Sequence, residues 1–264
     1  FGYLTRLNIV DYLDTEKLKH FREQVSGIKE GIVLLYGTGA ACIAPEDALL
    51  VYADLARWEI QLRMRRNAVC NLGISNKEAS FPEQYKHAFF VDWRVADRLK
   101  KQLMYRWDYL LDTHLPQFPK LVEGGVVLRA RAACVNRPFR VVPFFDPGLW
   151  GGQWLKKVID LDDKEINYAW GFDAVPEENS LLLKFGETRV EIPAINLVFY
   201  QPAALLGERV YARFGDEFPI RFDFLDTMEG GNLSLQVHPL TGYIQEKFGM
   251  HYTQDESYYL LDAG

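Results

Sequence analysis

The stretch Leu233-Ser234-Leu235-Gln236-Val237-His238-Pro239 decides how the second half of this chain is read. Leu233, Leu235 and Val237 alternate with Ser234, Gln236 and His238, the period-two signature of a half-buried strand. Successive strand side chains point to opposite faces, so Ser234, Gln236 and His238 share one side. An amide oxygen and an imidazole nitrogen on that side can both ligate a divalent metal. A carboxylate follows at Glu256, inside a second strand-like run, Asp255-Glu256-Ser257-Tyr258-Tyr259-Leu260-Leu261. An oxygen, an imidazole and a carboxylate from two neighbouring strands make a zinc half-shell. Such residues also occur as ordinary hydrogen-bonded strand positions, so the spacing alone leaves both readings open. Of the other histidines, His20, His87 and His114 lie in the first half, and His251 lies on the approach to Glu256.

Working outward, β-type runs dominate from about residue 140 to the end. They include Arg140–Phe145, Leu181–Leu183, Val190–Ile192, Asn196–Tyr200 and Ile220–Leu225, with turn residues between them. Short strands in this rhythm predict a sandwich or barrel. The first part has a different texture. Gly31–Tyr36 reads as a buried strand entering the turn Gly37-Thr38-Gly39. Pro45-Glu46-Asp47 opens a helical stretch to about Arg66, with proline and acids at the favourable end. A second helical stretch runs from Pro82 to Leu111, with a break near Phe89-Phe90-Val91. Pro116, Pro119 and Gly124-Gly125 mark a further break, after which Val126–Ala130 reads as a strand. The expected fold class is α+β: an α/β module over 1–139, then an all-β region over 140–264.

Composition bounds the partners. Of 264 residues, 48% are hydrophobic and 25% charged, ordinary for a globular protein. The net charge of −6 argues against nucleic acid and against an anionic membrane surface. No apolar run reaches the roughly 20 residues needed to cross a bilayer. Cys42, Cys70 and Cys134 form no Cys-x-x-Cys pair, which fits a reducing cytoplasm. The chain starts Phe1-Gly2-Tyr3-Leu4 and stops at Asp262-Ala263-Gly264, so both ends read as cut. Gly37-Thr38-Gly39-Ala40-Ala41 lacks the Lys-Ser/Thr of a phosphate loop, leaving a structural turn or a degenerate nucleotide-kinase-like loop.

The runs Phe218–Asp226 and Asn232–Pro239 together resemble the type I mannose-6-phosphate isomerases, zinc enzymes with a cupin core. Leu149-Trp150-Gly151-Gly152, Pro202–Gly207 and Glu256–Ala263 extend the resemblance in the family's order, over about residues 140–264. It implies a cupin-like barrel and zinc held by Gln236, His238 and Glu256, with a fourth ligand, a later His, expected beyond Gly264. It implies Ser234 beside the sugar phosphate and makes Trp150 and Gly152 packing and turn residues. Two positions depart from the family. Gln254 stands where many members have a lysine, and a neutral amide brings no charge to an anionic substrate. Arg221 stands where a lysine is common, and it can still bind phosphate. The implied activity interconverts mannose 6-phosphate and fructose 6-phosphate, with the general base unassigned. The alternative is a non-catalytic metal- or sugar-binding cupin relative with a regulatory role.

Overall fold

A computed structural model describes residues 2–263, so Phe1 and Gly264 lie outside the described residues. The fold is mixed α+β with several small sheets, and no closed barrel occurs among the described residues. The chain divides into two compact units that interleave in sequence. The first runs up to Ala53 and takes Gln61–Leu111 and Leu121–Arg129; the second takes Asp54–Ile60, Asp112–Lys120 and everything from Ala130.

In the first unit, α1 spans Thr15–Gly27, and the Asp14 side chain caps it by accepting from the Lys17 N–H at 2.9 Å. The predicted strand Gly31–Tyr36 does not pair with any other among the described residues. It forms no regular element, Gly31 takes φ 89°, and Ile32, Leu34 and Tyr36 are 99%, 84% and 96% exposed. The turn after it does form: Gly39 takes φ 87° and carries Ala40–Cys42 into a 3-10 turn. A Cβ at Gly39 would meet the apolar side chains of Ile9 and Leu13. The long helix expected from Pro45 is shorter, because β1, Val51–Asp54, precedes α2, Arg57–Arg65. Val51 and Tyr52 favour a pleated backbone, and this local preference outweighs the acidic helix-start signal. Farther on, α3, Phe81–His87, starts with proline in its first turn. A π-turn, Ala88–Asp92, joins it to α4, Trp93–Leu103, at the position of the expected break. β2, Tyr109–Asp112, lies between β1 and β3, Lys120–Glu123, in one sheet.

The run Val126–Ala130 is helical, inside α5, Gly124–Cys134. Val127 and Arg131, one turn apart, are both 0% exposed. A one-sided burial of period 3.6 and the following Arg, Ala and Ala outweigh the β-branched pair.

The second unit holds β4, Phe144–Asp146, then α6, Trp154–Ile159, then β5, Trp170–Ala174. The hairpin β6, Ser180–Phe185, and β7, Thr188–Pro193, stands as its own two-stranded sheet. The expected strand Asn196–Tyr200 is a helix, α7, Ile195–Tyr200, whose Ile195, Asn196, Leu197 and Val198 are all buried. Burial on every side removes the periodicity that separates a helix from a strand. Two short helices follow, α8, Pro202–Leu206, and α9, Glu208–Phe214. β8, Phe222–Leu225, then pairs antiparallel with β5, giving the order β4-β5-β8. α10, Thr241–Phe248, closes the described elements.

An aromatic ladder covers this sheet. Trp58 stacks on Phe144 at 4.1 Å, Phe144 on Phe172 at 4.7 Å, and Trp150 meets Trp170 edge-on at 4.9 Å. Trp150 is 7% exposed, as expected of a packing residue. Gly152 is wedged beside it: its N–H is shared between Tyr168 O at 3.0 Å and Asp226 O at 2.8 Å. A Cβ there would fall on Asp226 Oδ1, which only glycine avoids. No described helix is long and apolar enough to cross a membrane.

Candidate functional site

Two of the three expected metal ligands meet. After the run 232–240, α10 turns the chain, and Gly249 at φ 66° ends that helix and starts the return. The Thr253 hydroxyl then donates to Pro239 O at 2.5 Å, tying the returning segment to the outgoing one. This brings Glu256 to His238, eighteen positions earlier, with Nε2 and Oε2 2.6 Å apart. The carboxylate accepts, so the imidazole proton sits on Nε2 in this arrangement. The Tyr258 hydroxyl donates to the other oxygen, Oε1, at 2.6 Å. These hydrogen bonds, Tyr258 first and His238 second, hold the Glu256 carboxyl below its ordinary range. The same bond pushes the Tyr258 phenol up.

Asp223, on β8, is a neighbour that no motif in the sequence points to. Loss of solvent around its carboxyl and then the charge of Glu256 push its proton affinity up. Two neighbouring carboxylates resist carrying two negative charges, and Asp223 is the one whose proton affinity rises.

The other expected residues are placed differently. The segment 232–240 forms no regular element and no ladder, and Leu235 and Val237 are 95% and 88% exposed. Alternation supplies a face for a sheet, but a ladder also needs paired backbone amides, and the returning segment is tied here through the Thr253 and Glu256 side chains. Gln236 and Ser234 are exposed and make no hydrogen bond among the described residues. Arg221 is engaged: its NH2 donates to Glu177 Oε1 at 2.6 Å, and it also hydrogen-bonds Tyr252. His251 pairs with Glu217 at 2.9 Å and does not join His238.

The donors suit zinc in kind, an imidazole nitrogen and a carboxylate oxygen. Among the described residues, no group of three or more His, Cys, Asp and Glu could hold a metal. The pair His238–Glu256 is therefore the part of the expected ligand set that geometry brings together, whereas Gln236 is expected as a ligand from the sequence alone.

A second polar centre, in the second unit, leaves no motif in the sequence. Asp112 is 2% exposed. Its Oδ1 accepts from His114 Nδ1 at 2.8 Å and from the His114 backbone N–H at 2.9 Å; its Oδ2 accepts from the Glu191 N–H at 2.9 Å. Lys120 Nζ stands 3.6 Å away. Burial alone would raise the Asp112 pKa, but the hydrogen bonds, led by the His114 side chain, bring it down to about 2. His114 Nε2 accepts from the Ala56 N–H at 3.3 Å, so both ring nitrogens are occupied. Ser180 Oγ donates to Glu191 Oε1 at 2.5 Å, and Asn196 Nδ2 to Asp54 Oδ2 at 2.6 Å. Each of these carboxylates is held by donors from elsewhere in the unit. The centre is a set of structural pins.

Among proteins already described, a family model for a domain of unknown function (DUF8485) matches residues 1–136. No curated protein and no solved structure matches the chain.

Proposed function

We propose that this chain, which belongs to the DUF8485 family through residues 1–136, carries in its second half the metal centre of a zinc-dependent sugar-phosphate isomerase. The reaction class is aldose–ketose isomerisation, with mannose 6-phosphate and fructose 6-phosphate as the substrate pair. The cupin-like arrangement belongs to the same proposal, with β4-β5-β8 as its sheet and the runs 232–240 and 253–262 as segments that would add to it. The observation that carries the reading is the pairing of His238 with Glu256 at 2.6 Å, inside the two runs that resemble the isomerase family.

His238, Glu256 and Gln236 would hold the ion. When bound, zinc supplies Lewis-acid polarisation of a sugar carbonyl or hydroxyl oxygen. The chain's own residues set up the rest. Tyr258 orients the Glu256 carboxylate and keeps it ionised. Asp223, holding its proton above the ordinary carboxylate range, can keep or release a proton beside the same centre. Ser234 and Arg221 are the proposed contacts to the sugar phosphate. Arg221 must share its guanidinium with Glu177 to serve there.

That sharing supports a second reading, a metal- or sugar-binding relative without turnover. Gln254 favours it too, because it brings no charge to an anionic substrate.

The test is metal content and turnover of the whole chain. Zinc is expected at about one equivalent, lost in His238→Ala and Glu256→Gln, with mannose 6-phosphate conversion abolished by a chelator and restored by zinc. Stoichiometric zinc without turnover of any hexose phosphate selects the second reading. Equal zinc content in wild type and both variants sinks the centre altogether.

A further inference from the structure

A cleft in the second unit uses none of the residues discussed as metal ligands. It is an open hollow of about 330 Å³ beside α9 and α10, lined by Arg213, Phe214, Glu217, Gln245, His251 and Tyr252 among others. That volume is at the small end of ligand pockets, enough for one sugar ring and too small for a nucleotide. We propose that this cleft binds a monosaccharide carrying one anionic group, a phosphate or a carboxylate.

The lining divides into three kinds of surface. Phe214 and Tyr252 stand edge to face with ring centroids 5.1 Å apart, an apolar wall suited to the C–H face of a pyranose. Gln245 and Glu217 present planar polar groups to hydroxyls. Gln245 Nε2 is committed to His251 O at 2.8 Å, which fixes the carboxamide and leaves its oxygen to accept. Glu217 pairs with His251 Nδ1 through Oε1 at 2.9 Å, so a second carboxylate oxygen remains for a hydroxyl. The charge balance then selects the ligand. Arg221, behind Tyr252, is matched by Glu177. Arg213 instead lies with its guanidinium carbon 5.2 Å from the Phe214 ring centroid and makes no ion pair among the described residues. An unmatched guanidinium among the lining residues of the cleft favours an anion over a neutral sugar. Burial, and then the charge of Glu217, push the Tyr252 phenol up, so the wall stays neutral at ordinary pH.

The experiment titrates the whole chain with glucose 6-phosphate, glucuronate, glucose and inorganic phosphate, read by saturation-transfer NMR and calorimetry. Glucose 6-phosphate or glucuronate is expected to bind at least tenfold more tightly than glucose or inorganic phosphate. The tighter of the two names the anionic group. Arg213→Ala should weaken that binding by about tenfold to a hundredfold, the weight of a charge-assisted hydrogen bond. Arg213→Lys should recover part of it. Gln245→Ala should weaken glucose 6-phosphate without altering the inorganic phosphate titration, and serves alone if Arg213→Ala fails to fold. His238→Ala should leave the binding unchanged, so that loss of the isomerase centre and loss of this cleft are read in different variants. Binding of inorganic phosphate as tight as that of glucose 6-phosphate overturns the proposal. So does binding that survives both the Arg213 and the Gln245 substitution, or no binding of any probe.

Discussion

Asp112 shows what it takes to keep a carboxylate charged inside a fold. Its pKa, brought down from 3.8 to about 2, is a statement about stability as well as about charge. The folded value lies below the unfolded one. Its contribution is therefore complete above about pH 4 and is lost as the pH falls through 2, worth about 2 kcal/mol. Urea unfolding between pH 5 and 2 should show this slope, and Asp112→Asn should flatten it and lower stability at neutral pH by about 2 kcal/mol. An unchanged slope in the variant would assign the acid sensitivity elsewhere. The sequence singles out His238 and Glu256, and the two side chains do meet, although neither of the runs read as strands forms a ladder. Asp112 and His114 are not singled out. Their spacing of two is unremarkable in a sequence, and their binding partner Glu191 comes 79 positions later. Asp223 is hidden for the same reason: only the return of the chain after α10 brings Glu256 near it.

At the scale of elements, the tight connections carry testable weight. The hairpin β6–β7 closes on Gly186-Glu187, with Gly186 at φ 58° and Glu187 outside the left-handed region, the first-position glycine of a two-residue loop. Gly186→Val should cost about 1–2 kcal/mol, read as a lower urea midpoint, since a β-branched residue resists positive φ. Gly152→Ala should cost more, about 1–3 kcal/mol, because its methyl overlaps Asp226 and the Met228 carbonyl with no soft neighbour to yield. Hairpin, π-turn break and β8 are readable from turn residues and alternation. The elements that local pattern misassigns, α5, α7 and β1, share one cause. Each is a short β-branched or apolar run whose type is settled by which faces become buried, and burial belongs to the tertiary fold.

For the molecule as a whole, the interleaving of the two units matters more than their sizes. Segments Asp54–Ile60 and Asp112–Lys120 belong to the second unit, although they lie within the stretch matched by the family model. They bring Trp58 to Phe144 and Asp112 to Glu191. A fragment of residues 137–264 should therefore unfold at markedly lower urea than the whole chain, with weaker near-ultraviolet dichroism from its aromatic ladder. A fragment as stable as the parent would show those two segments to be dispensable. Mixed α+β character is visible in the change of texture along the chain, whereas the interleaving depends on contacts between distant positions and leaves no local sign. The exposed apolar runs around Leu34 and Leu235 add a handling property. Alternating apolar runs that lie outside any sheet and expose their aliphatic side chains are candidates for cross-β stacking, so concentrated protein should aggregate in a seeded, concentration-dependent way. A single charge at Val237, which is 88% exposed, should slow that aggregation.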